Sequence, residues 1–348
     1  MFTGLDEANL YQRVREQLQQ QPKRWLVTGP AGFIGSHLVQ ALLQLEQQVT
    51  GLDNFITGKR ENLQQVARLV GPANWRNFHL IEGDIRQADC CLRACSGMDY
   101  VLHQAALGSV ARSLQEPLMY HSINVDGFLG ILEAARQTRV KRLVYASSSA
   151  TYGDHPTLPK TESQCGLALS PYALGKQMNE HYASLYQRCY QLENIGLRYF
   201  NVYGPRQDPA GAYAAVIPCW IAALRLGQAV VIHGDGLNSR DFCFVENVVQ
   251  ANILAAVCER SEAMGQVYNI AVGQRTSLLE LFRLLQELLA EVGPSAAPEY
   301  RDFRAGDVRH SHADISKAAE LLGYRPSHDL QRGLQQTVAW YLAQNPAG

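Results

Sequence analysis

Short apolar runs alternate with amphipathic segments between residues 25 and 200 of this chain. The runs are rich in Val, Leu, Ile and aromatic residues, as is typical of strands covered on both faces of a parallel sheet. The segments between them carry apolar residues at helical spacing. We predict strands at 25–27, 49–52, 78–81, 100–103, 142–146 and 195–199. This alternation predicts an α/β fold with a Rossmann-type, doubly wound parallel sheet.

After residue 200 the alternation breaks. A loop with Pro and Gly is expected at 204–211, helices at 217–226, 278–292 and 330–342, and isolated short strands at 230–232 and 267–270. These late segments predict a smaller α/β lobe at the C-terminal end. We expect an accessory helix over residues 6–20 within an N-terminal segment 1–24, with a disordered leader as the alternative. An NAD-binding domain is expected at 25–200, with about 241–275 returning to it, and a substrate-binding lobe formed mainly by 201–348.

Composition narrows the partners. With 31 basic and 32 acidic residues the net charge is -1, so no strong field recruits nucleic acid or an anionic membrane, and the partner is expected to be a small molecule. Eight cysteines form no Cys-x-x-Cys pair, which is typical of reduced cytosolic thiols and predicts no metal. No run approaches the roughly 20 apolar residues of a membrane span, and the N-terminus lacks the apolar stretch of a secretory signal. A cytoplasmic protein is expected.

A glycine-rich turn follows the first predicted strand. Gly29, Gly32 and Gly35 stand at Gly-x-x-Gly-x-x-Gly spacing and open an amphipathic helix, where glycines let a pyrophosphate approach the backbone donors of the helix N-terminus. Pro30 is unexpected there, because it removes one N–H. Asp53 ends the next strand, where a carboxylate can bind a ribose diol and repels a 2'-phosphate. Either feature alone could be an ordinary turn. Together they predict a dinucleotide, and NAD rather than NADP.

Tyr172 and Lys176 carry the candidate chemistry. Four residues apart on a helix, they share a face, so the ammonium can favour phenolate over phenol in a group whose ordinary pKa is about 10. The run Ser147-Ser148-Ser149 upstream adds hydroxyl donors, and the set suits oxidation of an alcohol. The alternative is chance, since the chain has sixteen tyrosines and a lone Tyr-x-x-x-Lys is common on half-exposed helices.

Four further motifs follow one another along the chain. They are Gly83-Asp84-Ile85, His103-Gln104-Ala105-Ala106, Asn124-Val125-Asp126-Gly127 and Arg198-Tyr199-Phe200-Asn201. With the glycine turn, the serine run and the Tyr-Lys pair, they resemble the extended short-chain dehydrogenases/reductases from residue 25 to near the end of the chain. More narrowly the chain is similar to nucleotide-sugar 4-epimerases, and closest to the bacterial UDP-N-acetylglucosamine 4-epimerases of surface-polysaccharide pathways such as lipopolysaccharide and O-antigen synthesis.

The resemblance assigns roles position by position. Tyr172, Lys176 and Ser148 would be catalytic. The residues expected to bind NAD are Gly29, Gly32, Phe33, Ile34, Gly35, Asp53, Asn54, Gly58, Asp84, Ile85, Gln104, Tyr172, Lys176, Tyr199 and Val202. The residues expected to bind the UDP-sugar are Gly108, Ser109, Ser148, Ser149, Tyr172, Asn201, Gln207, Ala215, Val216, His233, Arg240, Arg304, Asp307 and Ser311. For Arg240 the alternative is a surface ion pair with Asp241 or Glu246.

The implied reaction is reversible inversion at C4 of the sugar. Tyr172 would take the proton of the 4-hydroxyl, Ser148 would steady that oxygen, and NAD would accept the hydride. The resulting 4-keto sugar would turn about its diphosphate and recover the hydride on its opposite face, so that NAD stays bound. Family members of this shape dimerise through the helices at 120–137 and 172–190, which implies a homodimer.

Related chemistries lack their acids here. Sugar 4,6-dehydratases carry an acidic pair where this chain has Ser149 and Ala150, and decarboxylases carry a glutamate that is absent between Ser147 and Tyr152. A uronate epimerase needs a cation for the C6 carboxylate. Arg112 lies one place from where that family has one, with a surface arginine as the alternative.

Pocket volume bears on the N-acetyl group. Epimerases confined to unacetylated hexoses place a tyrosine where this chain has Ser311, and Gly108 and Ala215 are also small. Gln207 and Ser109 could hydrogen bond the acetamido group. We therefore expect UDP-N-acetylglucosamine as substrate, with UDP-glucose or UDP-glucuronate as alternatives. Two other hypotheses for the function are a catalytically inactive nucleotide sensor and an oxidoreductase that exchanges free NAD(H).

Overall fold

The computed structural model describes residues 10–209, 215–290, 296–303 and 308–344. Its strands are β1 Arg24–Thr28, β2 Gln48–Asp53, β3 Phe78–Glu82, β4 Tyr100–His103, β5 Arg142–Ser148, β6 Asn194–Tyr199, β7 Val202–Tyr203, β8 Val231–His233, β9 Ser239–Arg240, β10 Cys243–Phe244, β11 Gln266–Ile270, β12 Thr276–Ser277 and β13 Glu299–Arg301. Seven of them form one parallel sheet in the order β11-β6-β5-β4-β1-β2-β3.

The helices are α1 Leu10–Gln20, α2 Phe33–Gln44, α3 Arg60–Trp75, α4 Ala88–Cys95, α5 Val110–Gln115, α6 Pro117–His121, α7 Gly127–Gln137, α8 Pro171–Tyr190, α9 Val216–Arg225, α10 Val245–Val257, α11 Leu278–Leu289, α12 Ser316–Leu322 and α13 Leu330–Gln344. None of these described helices is both long and apolar enough to cross a membrane.

The predicted fold class is confirmed. Alternate residues of β1 enter different cores, as a sheet covered on both faces requires: Trp25 and Val27 lie in one buried cluster and Leu26 in the other. Helices α2 and α10 cover the first face, and α4, α7 and α8 cover the second. All six strands predicted before residue 200 are present, each within two residues of its predicted bounds.

The prediction that 267–270 is an isolated strand is wrong. This segment is β11, the edge strand of the main sheet, and its residue Val267 pairs with Gly196 of β6 in parallel register. The prediction for 230–232 is wrong in the same way, because β8 pairs with β13. In both cases the partner strand is distant in the chain, so no local pattern marks the pairing. The accessory helix is observed from Leu10 to Gln20, where Val14 and Leu18 pack into the core, and residues 6–9 of the predicted range lie outside the described part.

The later part of the chain packs a third core. Its apolar residues come from α9, α11 and α13, and include Trp220, Phe282 and Tyr341. Asp241, which is fully buried between β9 and β10, ties this lobe to the main sheet. Its carboxylate accepts the backbone N–H groups of Val272 and Gly273, just beyond β11. The lobe is therefore fixed at the carboxyl edge of the sheet, beside β6 and β7.

Candidate active site

A cavity of about 410 Å³ runs along the carboxyl edge of the sheet, where β1 lies between β2 and β4. The chain leaves β1 and β4 toward opposite faces there, which is the position at which open α/β sheets bind ligands. The first turn of α2, the ends of β2 and β5, and one face of α8 also line the cavity.

The glycine turn is as tight as its spacing predicts. Gly29 has φ +69°, and a Cβ at Gly35 would lie 2.0 Å from the carbonyl oxygen of Gly29. Helix α2 therefore starts directly against the end of β1. Its N-cap, Gly32, makes no side-chain cap hydrogen bond, so the first N–H groups of α2 are left for another acceptor. This arrangement fits the pyrophosphate of a dinucleotide.

Asp53 lies at the end of β2, largely buried in the wall of the cavity. Its carboxylate accepts the N–H of Ala31 at 2.9 Å and that of Phe55 at 2.8 Å. Burial raises the pKa of this carboxyl, and the backbone hydrogen bonds oppose the shift. The side chain thus fixes the loop that follows β2 against the glycine turn, and it fits the ribose-binding role expected for it.

Asp84, which was expected to contact the adenine, does not line the cavity, although its neighbours Gly83 and Ile85 do. Its carboxylate accepts hydrogen bonds from Arg86 and from the Asn54 side chain, and the hydrogen bond from Arg86 lowers its pKa to about 2. The aspartate therefore holds the loops after β2 and β3 together.

Gln104 and Tyr199 form a closed ring of hydrogen bonds with Asn252 of α10. The Tyr199 hydroxyl donates to Gln104 at 3.2 Å, the Gln104 amide donates to Asn252 at 3.1 Å, and the Asn252 amide donates to the Tyr199 hydroxyl at 2.8 Å. Asn252 is fully buried. The ring fixes the two side chains that were expected on the nicotinamide side.

Tyr172, Lys176 and Ser148 meet in the same cavity. The Ser148 hydroxyl hydrogen bonds the Tyr172 phenol, and the Lys176 ammonium lies 5.9 Å from the centre of the Tyr172 ring. The ammonium donates to the carbonyl oxygen of Ala146 at 2.7 Å. Burial lowers the pKa of Lys176 to about 8, so the lysine is mostly charged at neutral pH.

The pKa of Tyr172 corrects one expectation. Burial raises it above the ordinary value, and the hydrogen bond with Ser148 opposes the shift only in part. The prediction that Lys176 brings this pKa down is therefore wrong for the side chains as they lie. The reason is that the ammonium bonds the Ala146 carbonyl rather than the phenol, while the partial burial of Tyr172 disfavours its charged form.

Every residue assigned to NAD lines the cavity except Asp84. Of the residues assigned to the sugar nucleotide, those that line it are Gly108, Ser148, Tyr172, Asn201 and Gln207. Those that lie away from it are Ser109, Ser149, Ala215, Val216, His233, Arg240 and Ser311. Arg304 and Asp307 lie outside the described residues.

The residues away from the cavity have other contacts. Ser109 caps α5 by accepting the N–H of Arg112. Arg240 and Ser311 lie together in the C-terminal lobe, because the Arg240 guanidinium and the Ser311 N–H both donate to the carbonyl oxygen of Ser239. Their assignment to the substrate stays a prediction.

Sequence reasoning missed two supporting residues. The Thr28 hydroxyl, at the end of β1, accepts the N–H groups of Gln104 and Ala105 and so joins the glycine turn to the end of β4. Its position directly before Gly29 was an available signal. For Asn252 the only signal was a polar residue in an otherwise apolar helix. Other cavity-lining residues had no role assigned to cofactor or substrate: Leu52, Ile56, Thr57, Gly83, Ala105, Ala106, Ile123, Ala146 and Ser147.

Known proteins share this architecture. Residues 25–271 match the NAD dependent epimerase/dehydratase family. A putative UDP-glucose 4-epimerase of Methanocaldococcus jannaschii is 38% identical over 90% of this chain and 97% of its own length.

Two solved structures are similar over nearly all of their own length. One is the UDP-N-acetylglucosamine 4-epimerase of Methanobrevibacter ruminantium M1 in complex with UDP-N-acetylmuramic acid, with a TM-score of 0.85, 39% identity and coverage of 93% of this chain and 99% of that one. The other is the UDP-glucose 4-epimerase of Thermotoga maritima with UDP-glucose, with a TM-score of 0.84, 37% identity and coverage of 92% and 99%.

Gly35→Ala tests the glycine turn. Because its Cβ would lie 2.0 Å from a backbone oxygen, the start of α2 must shift, and we expect the purified variant to lose most of its bound NAD. Gly108→Ala is the matched control, since nothing lies within 4 Å of its Cβ. NAD released from denatured protein and measured by absorbance gives the readout. Wild-type NAD content in Gly35→Ala would contradict the assignment of this turn to the cofactor.

Proposed function

This chain belongs to the NAD dependent epimerase/dehydratase family, and on that basis we propose that it interconverts UDP-N-acetylglucosamine and UDP-N-acetylgalactosamine by inverting C4 of the sugar. Its cofactor is NAD, and its activity is that of a UDP-sugar 4-epimerase. One observation carries the proposal: Tyr172, Lys176 and Ser148 lie in the same cavity as the glycine turn of α2.

Each catalytic group has a defined task. Tyr172 takes the proton of the sugar 4-hydroxyl and later returns it, and the Ser148 hydroxyl, which already bonds the phenol, steadies the same oxygen. NAD supplies the hydride acceptor and donor at C4 and, when oxidised, a positive ring charge that favours the phenolate. The Lys176 ammonium lies 5.9 Å from the centre of the phenol ring and adds its charge to that of NAD; alone it does not offset the effect of burial on the pKa of Tyr172. An inactive nucleotide sensor would have no need for this complete set.

The surroundings of Arg112 favour a sugar that is neutral at C6 over a uronate. A uronate requires a free cation near C6, and Arg112 was the candidate. Its guanidinium instead makes a two-pronged pair with Glu116, with distances of 2.7 and 3.3 Å, and the side chain is 44% exposed. This pairing satisfies the charge of Arg112 at the surface of α5 and supports a substrate without a carboxylate.

The N-acetyl preference rests on small side chains. Gly108 lines the cavity with open space where a Cβ would be, and Gln207, a side chain with an amide, lines the same cavity. The 39% sequence identity to a UDP-N-acetylglucosamine 4-epimerase also supports an N-acetylated substrate. UDP-glucose is the second candidate substrate, because the relatives include UDP-glucose 4-epimerases. The resemblance to enzymes of surface-polysaccharide pathways supports the use of the product, UDP-N-acetylgalactosamine, in the synthesis of such a polysaccharide.

We also propose a homodimer. The apolar face of α7 packs into the core, so this helix offers less apolar surface than expected. Exposed apolar residues lie instead on α5, α6 and α8, which contact each other: they are Leu114, Leu118, Leu174, Leu185 and Tyr190. Leu118 is 84% exposed. Exposed apolar side chains on neighbouring helices are typical of a protein interface.

Tyr172→Phe tests the base. The ring stays in place while the hydroxyl is lost, so we expect NAD content to stay normal and kcat to fall by roughly 10²- to 10⁴-fold. Tyr190→Phe, an exposed position of the same helix, is the control and should turn over normally. Conversion of UDP-N-acetylglucosamine followed by NMR is the measurement. Near-normal turnover of Tyr172→Phe would refute the assignment.

Ser311→Tyr tests the volume argument. If Ser311 borders the acetamido group, a phenol there should lower kcat/KM for UDP-N-acetylglucosamine roughly tenfold more than for UDP-glucose. Ser311→Ala changes the polarity without adding volume and should leave that ratio unchanged. Both substrates are assayed on each variant by chromatography of the products. An equal loss on the two substrates argues against this position as the source of selectivity.

Leu118→Asp tests the interface. A charge at this exposed site should shift the protein from dimer to monomer, because an unpaired carboxylate would be buried at the contact. Leu226→Asp is the control, since Leu226 is 72% exposed at the end of α9, away from these helices. Sedimentation velocity at micromolar concentration gives the mass. A monomeric wild type, or a Leu118→Asp variant that stays dimeric, removes the proposed interface.

A further inference from the structure

Helix α8 carries a third ionisable group in line with Tyr172 and Lys176. Glu180 follows Lys176 by four residues, as Lys176 follows Tyr172, so the three side chains lie along one stripe of the helix. The stripe faces β5 and β6, against which α8 packs. Nothing in the assigned chemistry uses Glu180.

The carboxylate of Glu180 is held from both of those strands. Its Oε1 accepts hydrogen bonds from the Ser147 hydroxyl at 2.5 Å and from Arg198 Nε at 2.8 Å, and its Oε2 accepts Arg198 Nη2 at 2.7 Å. Ser147 and Arg198 are register partners on β5 and β6. Both are buried, with 2% of their surface exposed. The charge of Glu180 is therefore fixed in one place behind the cavity.

Arg198 is itself secured from further directions. Its Nη1 donates to the carbonyl oxygen of Glu162 at 3.1 Å, and its guanidinium lies 4.8 Å from the centre of the Tyr152 ring. Burial alone lowers the pKa of Arg198, but its hydrogen bonds and charge pairing with Glu180 outweigh this and raise the pKa above its ordinary value. The arginine is thus a permanent cation that orients the Glu180 carboxylate.

Lys176 needs a nearby anion. Its side chain is buried, with 3% of the residue exposed, and a buried ammonium is costly unless an opposite charge compensates it. The titratable groups near it are Tyr172 and Glu180 on α8, His103 on β4 and, in the same cavity, Tyr199 on β6. Tyr145 on β5 and Arg198 on β6 lie beside Glu180. Burial and the Lys176 charge lower the pKa of His103 to about 3, so the histidine is neutral. Among these groups Glu180 is the carboxylate.

We propose that Glu180 is the counter-ion that keeps Lys176 charged, and that Ser147 and Arg198 fix its carboxylate for this purpose. Glu180 is thus a positioning residue that acts through Lys176. The inference rests on the proposed function, in which Lys176 must be an ammonium beside Tyr172. Because Arg198 offsets part of the Glu180 charge, the effect on Lys176 should be near the lower end of the range of about 1–3 pH units for close opposite charges.

Glu180→Gln tests this by removing the charge while keeping a carbonyl oxygen for Ser147 and Arg198. The titration of Lys176, followed by NMR after selective ¹³C-methylation of lysines, should move down by about one pH unit. The alkaline limb of the kcat profile should move down with it. Glu162→Gln is the matched control: it removes another part-buried carboxylate that interacts with Arg198, and it should leave Lys176 within roughly 0.3 unit.

Glu180→Asp keeps the charge and guards against a variant that fails to fold. Its Lys176 should titrate within roughly half a unit of wild type. A Lys176 titration unchanged in Glu180→Gln, or lowered as much in Glu180→Asp, overturns the proposal. The NMR titration needs no substrate, so it stands even if the protein fails to epimerise UDP-sugars. A wild type without epimerase activity but with the expected Lys176 shifts would refute the proposed function alone.

Discussion

Burial of the Lys176 ammonium is the constraint around which the site is organised. A charge removed from water must find a fixed partner, and the Ala146 carbonyl at 2.7 Å supplies the direct one. That hydrogen bond joins the middle of α8 to the end of β5. Tyr172 lies one turn before Lys176 on the same helix, and Ser148 lies two residues beyond Ala146 on the same strand. The bond therefore brings the phenol and the serine hydroxyl to one point.

The parallel sheet determines where that point lies. Every crossover returns the chain to the same edge, so the ends of β1, β2, β4, β5 and β6 all open on one cavity. The glycine turn allows α2 to begin against β1, which leaves its N-terminal donors at the same edge. Residues assigned to the cofactor and residues assigned to catalysis, which are far apart in the chain, thus meet without any long excursion of the backbone.

Local patterns were enough to predict much of this arrangement. The strands before residue 200, the turn at Gly29 and the positions of Tyr172 and Lys176 each depend on a few neighbouring residues, whose spacing is visible in the chain. Pairing between distant segments was not predictable in this way. The strand β11 has a short apolar pattern like any other, and only its contact with β6 makes it the edge of the main sheet. Asn252 completes the ring with Gln104 and Tyr199 for the same reason.

The pKa shifts and charge partners of the site were harder still to predict from the sequence. The spacing of Tyr172 and Lys176 suggested a lowered phenol pKa, but the sign depends on how deeply both groups are buried and on where the ammonium bonds. The spacing likewise made Arg112 a candidate cation for the carboxylate of a uronate. In the structure Arg112 pairs with Glu116 at the surface. The roles of Arg240 and Ser311 remain predictions, because these residues lie together in the C-terminal lobe and away from the cavity.

The fate of the hydrogen at C4 tests the central claim most directly, namely that one phenol and one held NAD remove and restore hydrogen at a single sugar carbon. Purified protein would be incubated with UDP-N-acetylglucosamine deuterated at C4, in the presence of excess unlabelled NAD and NADH, and both the sugars and the free coenzyme would be analysed by mass spectrometry. The account predicts that deuterium stays at C4 of both epimers over many turnovers. Deuterium that accumulates in free NADH, at the rate at which the sugar is converted, would contradict it.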